Sequence, residues 1–135
     1  MHESVLRDYF LGRINESRLN ADLAGSVVQT SYDVFTHYVN PMDVNFQVEP
    51  SHLVKLCDAV LAGHLDPKHL EIIGHCLVAS DHFLLPDESN AGDVVRETAY
   101  DWAGPNLLLT LTNVAKFRDR LLTGNDTFTR ADAVG

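Results

Sequence analysis

The sequences VEPSHL at residues 48–53 and LDPKHL at residues 65–70 decide how this chain folds. Both read as an apolar residue, an acidic residue, Pro, any residue, His and Leu. An acidic side chain can cap the free N–H groups of a helix start, and Pro fits the first helical position because it has no N–H to leave unbonded. Gly63 lies between the two openings and suits a left-handed helix end. The pattern predicts one helix that ends at Gly63, a second that runs from Pro67 to Phe83, and a sharp corner that folds them back on each other.

The rest of the chain shows helical spacing of its apolar residues in four further segments. The first two cover residues 4–11 and 16–39, and Gly12 between them is expected to end a helix at a corner, as Gly63 does. The last two cover residues 93–103 and 112–124, where Thr112 or Asn113 serves as the cap and Gly124 as the end.

Two short stretches, residues 43–48 and 107–112, have the composition of strands and predict at most one short strand pair. The predicted fold is therefore all-α: an antiparallel helical bundle of about five to six helices. A length of 135 residues fits one domain, which we place at residues 1–124. Residues 125–135 are predicted to form a loose C-terminal tail.

The composition is that of a globular protein, with 45% hydrophobic residues and no apolar run long enough to cross a membrane. The first residues lack a basic stretch followed by an apolar one, so a secretory signal is not expected. Cys57 and Cys76 both fall on apolar helix faces, which predicts buried, reduced thiols. These features favour a cytoplasmic protein.

The negative charge is concentrated in the middle of the chain. The net charge is −9, and residues 33–101 carry all of it, with twelve acidic residues against three basic ones. Such a charge disfavours direct binding to nucleic acid or to an anionic membrane, and it favours a basic partner.

The strongest functional signal is a row of acidic residues on the fifth predicted helix. Asp93, Glu97 and Asp101 lie at positions i, i+4 and i+8, so they form a ridge along one side of the helix. Like charges at this spacing destabilise a helix, so neutralising all three is expected to leave the free protein as stable or slightly more stable. The ridge is either a solvated polar face or a surface shaped for a cationic partner. The predicted partner-binding residues are Asp81, Asp87, Glu88, Asp93, Glu97 and Asp101.

Catalytic and metal-binding patterns give no comparable signal. The seven histidines do not match a zinc spacing such as two histidines four residues apart on one helix, and no Gly-x-Ser-x-Gly or Gly-rich phosphate loop is present. We therefore predict no cofactor, no metal and no enzymatic activity. A small metal-dependent enzyme that uses the histidines, and a helical adaptor that binds a neutral partner, remain as alternatives.

The chain resembles the small helical immunity proteins that protect bacteria from their own nuclease toxins, in particular the colicin D-type group and the immunity proteins of contact-dependent growth inhibition. The resemblance lies in YFLGRI at residues 9–14, LAGHLD at 61–66, SDHF at 80–83, and the segment 113–124. It implies an antiparallel helical bundle without catalytic activity. It also implies that the protein binds a basic toxin domain, often a ribonuclease that cleaves tRNA, and covers the substrate site with acidic groups. The matched motifs are structural, so no inhibitory residue is carried over.

Overall fold

A computed structural model of the protein describes residues 1–24, 27–31, 34–37, 39–85, 90–104 and 107–134, with the backbone alone for 27–31, 34–37 and 90–93. Within these ranges lie six α-helices and two short strand pairs. The helices are α1 (Glu3–Phe10), α2 (Glu16–Ala24), α3 (Pro50–Leu61), α4 (His69–Ala79), α5 (Asn90–Ala103) and α6 (Leu111–Thr123). The strands are β1 (Val27–Ser31), β2 (Val34–His37), β3 (Phe46–Gln47) and β4 (Phe83–Leu84). The predicted helical bundle with a small strand element is confirmed.

Both predicted corners have the expected backbone geometry. Gly12 and Gly63 have φ angles of 76° and 83°, in the left-handed region that favours glycine. At the central corner the N–H of Gly63 donates to the carbonyl of Val60, and the N–H of His64 donates to that of Ala59. These are the two hydrogen bonds of a Schellman motif, so they satisfy carbonyls that the end of α3 would otherwise leave free.

Before α4 the carboxylate of Asp66 accepts the N–H of Lys68. The predicted bounds of this helix are wrong at both ends: α4 begins at His69 with Lys68 at the N-cap position, not at Pro67 with Asp66 as the cap, and it ends at Ala79, not at Phe83. The Ser80 hydroxyl accepts the N–H groups of His82 and Phe83 and so turns the chain out of the helix before β4.

The packing of the two central helices differs from the prediction. We expected α3 and α4 to fold back on each other, but α3 packs chiefly against α6, and α4 packs chiefly against α5. Gly74 lies at the α4–α5 contact, where the backbone of α5 comes so close that only a residue without a side chain fits. The corner therefore separates two helix pairs.

The predicted long second helix, residues 16–39, is wrong. Helix α2 ends at Ala24, and β1 pairs antiparallel with β2 in the segment that follows. The strand sequences VVQTS and VFTH are rich in Val and Thr, whose branched side chains fit an extended backbone better than a helix. Periodicity alone does not separate a short apolar strand from a helix turn. The side chains of these two strands lie outside the described residues.

The predicted strand pairing of 43–48 with 107–112 is also wrong. Strand β3 pairs in parallel with β4, which directly follows α4, while Leu111 begins α6. The cap of α6 is Thr110, whose Oγ1 accepts the N–H of Asn113, so the predicted start was two or three residues late. Gly124 ends α6 in the left-handed conformation, as predicted.

The C-terminal segment is attached to α6, although we expected a loose tail from residue 125 onward. The side chain of Asn113 donates to the carbonyl of Asp132, and Lys116 forms a salt bridge of 2.7 Å with the Asp132 carboxylate. The ring of Phe128 packs on the ring of Phe117 with a centroid distance of 4.7 Å. Sequence composition gives no sign of these contacts, because each depends on where α6 lies in the fold.

The two cysteines are buried and unpaired, as predicted. Burial raises the pKa of both thiols to about 12, because a thiolate loses its hydration inside the apolar core. Both side chains are therefore neutral thiols at physiological pH.

The surroundings of His52, in the first turn of α3, predict that the stability of the protein depends on pH. Its Nδ1 accepts the N–H of Glu49, and its ring stacks on Phe10 and contacts Phe46 at a tilt, with centroid distances of 5.1 and 5.0 Å. Burial lowers the pKa of His52 below its ordinary value, and protonation would also remove the acceptor for the Glu49 N–H. The neutral His52 side chain therefore stabilises the fold fully above about pH 6.5, and this stabilisation is lost as the pH falls through the lowered pKa.

We expect the unfolding free energy of the wild type to drop more steeply between pH 7 and pH 5 than that of His52→Gln. The difference in slope is at most about 1.4 kcal/mol per pH unit, because one proton is involved. Urea titrations at several pH values measure it, and His75→Gln, a change at an exposed histidine, serves as the matched control. Equal slopes for the wild type and His52→Gln would contradict the prediction.

Candidate functional site

The structure describes the side chains of three of the six predicted acidic residues. Glu97 and Asp101 lie on α5 and face α6, and Asp81 lies between α4 and β4. Asp93 lies on α5 by its backbone position, and its side chain lies outside the described residues. Asp87 and Glu88 also fall outside them.

Glu97 and Asp101 share a counter-ion that the sequence analysis missed. The guanidinium of Arg120, on α6, donates from Nη1 to Glu97 over 3.3 Å and from Nη2 to Asp101 over 2.8 Å. The same Nη2 donates to the hydroxyl of Thr98, and Nη1 lies 3.7 Å from the Asp126 carboxylate. We call Arg120, Glu97, Asp101 and Asp126 the Arg120 cluster.

The Arg120 cluster is buried at its centre and exposed at its edge. The side chain of Arg120 is 3% exposed, and its guanidinium lies 5.2 Å and 5.4 Å from the ring centres of Phe117 and Phe128. Asp101 is 21% exposed, whereas Glu97 and Asp126 are 55% and 53% exposed. Three carboxylates around one guanidinium leave a local charge of −2, and two of them remain open to a partner.

This arrangement revises the expected effect of neutralising the ridge. The sequence predicted that replacing Asp93, Glu97 and Asp101 together would leave the stability unchanged or slightly higher. Asp101 instead pairs with a buried cation, and removing its charge leaves Arg120 with less compensation, which is destabilising. A test of binding must therefore spare Asp101.

Asp81 belongs to a different surface, a groove between the end of α4 and α5. The groove has a volume of about 310 Å³, and its lining includes Asp81, Leu84, Arg96 and Tyr100. The side chains of Leu84 and Tyr100 are both exposed. We call these four residues the α4–α5 groove. Tyrosine and arginine are enriched among the residues that anchor protein interfaces.

Helix α5 joins the two surfaces. Arg96 and Tyr100 are four residues apart and line the groove, while Glu97 and Asp101 are four residues apart and meet Arg120. Neighbouring helix positions differ by 100° in direction, so the two pairs form adjacent stripes. Glu97 and Asp101 therefore lie beside the α4–α5 groove, but they do not line it.

The burial of Arg120 could have been predicted from its position in the apolar pattern of α6. It lies three residues after Phe117, on the helical stripe that also carries the buried Val114 and Leu121. A charged residue at a core position is rarely buried without a partner, so its place in the pattern indicates an ion pair across helices. The identity of that partner, in contrast, depends on the packing of α5 against α6.

Comparisons with models of protein families, with curated proteins and with solved structures give no significant match for this chain. No helix within the described ranges is both long and apolar enough to span a membrane. The described side chains also include no group of three His, Cys, Asp or Glu residues placed to hold a metal ion.

Proposed function

We propose that this protein is an immunity protein that binds and neutralises a cognate basic nuclease toxin, a ribonuclease that acts on tRNA. The observation that carries the proposal is the acidic edge of the Arg120 cluster, where Glu97 and Asp126 are exposed on a surface held by a buried arginine. The resemblance to colicin D-type and contact-dependent-inhibition immunity proteins supports the same function. The protein would act in the cytoplasm, without a cofactor and without catalysis of its own.

The proposed mechanism is occlusion of the toxin's substrate site. A nuclease binds the phosphates of its substrate with basic side chains, and carboxylates can occupy the same positions. Arg120 holds Glu97 and Asp101 in place before binding, so less side-chain entropy is lost when the complex forms. The net charge of −9 favours rapid association with a basic domain.

The α4–α5 groove would supply the apolar part of the interface. Charge alone steers two proteins together, while buried aromatic and aliphatic anchors slow their separation. Tyr100 and Leu84 are exposed beside the acidic surface and can serve as such anchors. These residues also favour the second candidate, a helical adaptor whose binding depends on the groove and is insensitive to salt.

The test compares two double variants that remove the same charge. Asp81→Asn with Glu97→Gln alters the proposed interface, and the Gln side chain keeps an acceptor for Arg120. Asp43→Asn with Asp66→Asn removes two exposed acids elsewhere, and Asn at position 66 keeps an oxygen that can accept the N–H of Lys68. The proposal expects the partner to be the nuclease domain of a toxin encoded in the reading frame next to the gene of this protein, and that domain is used in the assay.

We expect the first variant to bind that domain roughly tenfold more weakly, with a smaller salt dependence, and to protect growing cells less well. The control variant should keep its affinity within a factor of about two to three. Equal affinity of both variants would contradict the acidic interface. Binding that is unchanged by both variants and by salt, but lost in Tyr100→Ala, would favour the adaptor.

A further inference from the structure

A groove runs along one face of α3. Its volume is about 400 Å³, and α6 and α2 contribute Leu122 and Glu16 to its lining. The side chains from α3 follow one another at intervals of three and one residues, which places them on the same side of the helix. We call them the α3 face: Ser51, Val54, Lys55, Asp58, Ala59 and Ala62. None of them belongs to the Arg120 cluster or to the α4–α5 groove.

The α3 face is complementary to itself when two copies of it lie antiparallel. A two-fold axis at the level of positions 56 and 57 brings residues at equal distances from that level opposite each other. The three pairs that result are Ser51 with Ala62, Val54 with Ala59, and Lys55 with Asp58. Small or apolar residues therefore meet at the outer positions, and opposite charges meet twice near the axis. A contact in which residue i meets j and j meets i is the kind that homodimers use.

The two charged side chains of the α3 face do not pair with each other within one copy. Asp58 is 53% exposed, its Oδ1 accepts a hydrogen bond from Arg118, and its Oδ2 accepts none from the described part of the chain. Lys55 donates to the carbonyl oxygen of Tyr9, and it forms no salt bridge with a described carboxylate. An ammonium has three N–H donors and a carboxylate accepts through both oxygens, so each group can still bond to a second copy.

The uncharged part of the surface suits close contact between two helices. Ser51, Ala59 and Ala62 are small, and the distance between packed helices is shortest, about 8 Å, where the contacting side chains are small. Leu122 is 55% exposed beside the α3 face, so a second copy can remove its apolar surface from water. Apolar attraction has no direction, and the orientation of the two copies therefore depends on the charges.

We propose that the α3 face binds a second copy of this chain, with the two α3 helices antiparallel and Lys55 of each copy paired with Asp58 of the other. The net charge of −9 on each copy opposes association. A contact made chiefly by one helix of each copy is also small, so the dimer is expected to be weak and reversible. This inference does not rest on the proposed function, because the α3 face is separate from the acidic surface and can be tested without any toxin.

The experiment measures the mass of the protein by sedimentation at concentrations of about 10 to 500 μM, where weak dimers form. We expect the wild type to change from monomer to dimer across this range. Lys55→Glu and Asp58→Lys each bring like charges together across the axis, so each should weaken the dimer at least about tenfold. An equal mixture of the two variants should form a heterodimer within about threefold of the wild-type affinity, because both cross pairs then join opposite charges.

The control variants are Lys68→Glu and Asp43→Lys, which make the same charge changes at exposed positions outside the α3 face. Each should dimerise within about threefold of the wild type. A wild type that stays monomeric at the highest concentration overturns the proposal. So does a mixture of folded Lys55→Glu and Asp58→Lys proteins that stays monomeric, because an antiparallel contact must be restored by that mixture.

A further variant keeps the test decisive if either charge variant fails to fold. Ser51 is exposed, and Ser51→Arg places a long side chain where the Ala62 of the second copy would lie. We expect this variant to keep the stability of the wild type and to dimerise at least about tenfold more weakly. Dimerisation of Ser51→Arg with the wild-type affinity would show that the two copies do not meet through the α3 face.

Discussion

Replacing Arg120 with Ala is expected to lower the free energy of unfolding by about 3–5 kcal/mol. The change removes a side chain that is 3% exposed and leaves Asp101, which is 21% exposed, without its cation. It also opens space beside the rings of Phe117 and Phe128, which both pack near the guanidinium. The loss of charge compensation and the loss of packing act in the same direction.

The matched control for this change is Arg118→Ala, two residues earlier on the same helix. Arg118 pairs with Asp58, but both side chains are more than one-third exposed, so water replaces the ion pair when it is broken. Exposed pairs contribute about 0–1 kcal/mol. Urea unfolding of both variants gives the comparison, and similar losses for Arg118→Ala and Arg120→Ala would show that the Arg120 cluster does not stabilise the fold.

A double-mutant cycle separates the charge from the packing. Arg120→Met keeps apolar volume and removes the cation, and Asp101→Asn removes one of its anions. We expect Asp101→Asn to cost about 1–3 kcal/mol in the wild type and clearly less in the Arg120→Met background, because the buried cation is then absent. Strictly additive losses would mean that the two side chains do not interact in solution.

The second large effect is expected for Gly74→Ala. An added Cβ would lie 2.6 Å from the backbone nitrogen of Ala103 and 2.7 Å from the Cβ of Trp102. Neither atom can rotate away, so α4 and α5 must move apart around the buried Trp102 ring. Overpacking of this kind costs about 1–3 kcal/mol, and more when backbone has to move.

Gly74→Ala is expected to lower the stability, although a change from glycine to alanine in a helix usually raises it. Alanine normally stabilises a helix interior by about 1 kcal/mol relative to glycine. Gly104→Ala is the control, because a Cβ there meets no atom within 4 Å and the backbone is not left-handed. Urea unfolding should show a loss for Gly74→Ala and little change for Gly104→Ala. A Gly74→Ala variant as stable as the wild type would mean that the helices are not in close contact at this point.

The helix corners were predictable from the sequence because their causes are local. Gly63 and Gly12 adopt left-handed conformations, and the hydrogen bonds that close each corner join residues within five positions of each other. The burial of Cys57 and Cys76 followed from helical periodicity alone. The course of α5 was also predicted well, from residue 93 to Ala103, against the observed Asn90–Ala103.

The candidate site was predictable only in part. The sequence placed Glu97 and Asp101 on one side of α5, four residues apart, but it did not supply their counter-ion. Arg120 is 19 residues from Asp101, and only the packing of α5 on α6 brings them together. The same packing divides the predicted ridge from the groove that contains Asp81.

By itself the sequence determined the helix ends at Gly12, Gly63 and Gly124 and the apolar faces of the helices, because glycine conformation and periodicity act over a few residues. The tertiary structure decided which helices pack together, as the α3–α6 and α4–α5 pairs show. It also decided that β3 pairs with β4, where Phe46 lies opposite Phe83, a residue 37 positions further along the chain. Such choices depend on the fit of side chains between distant segments, and no local pattern contains that information.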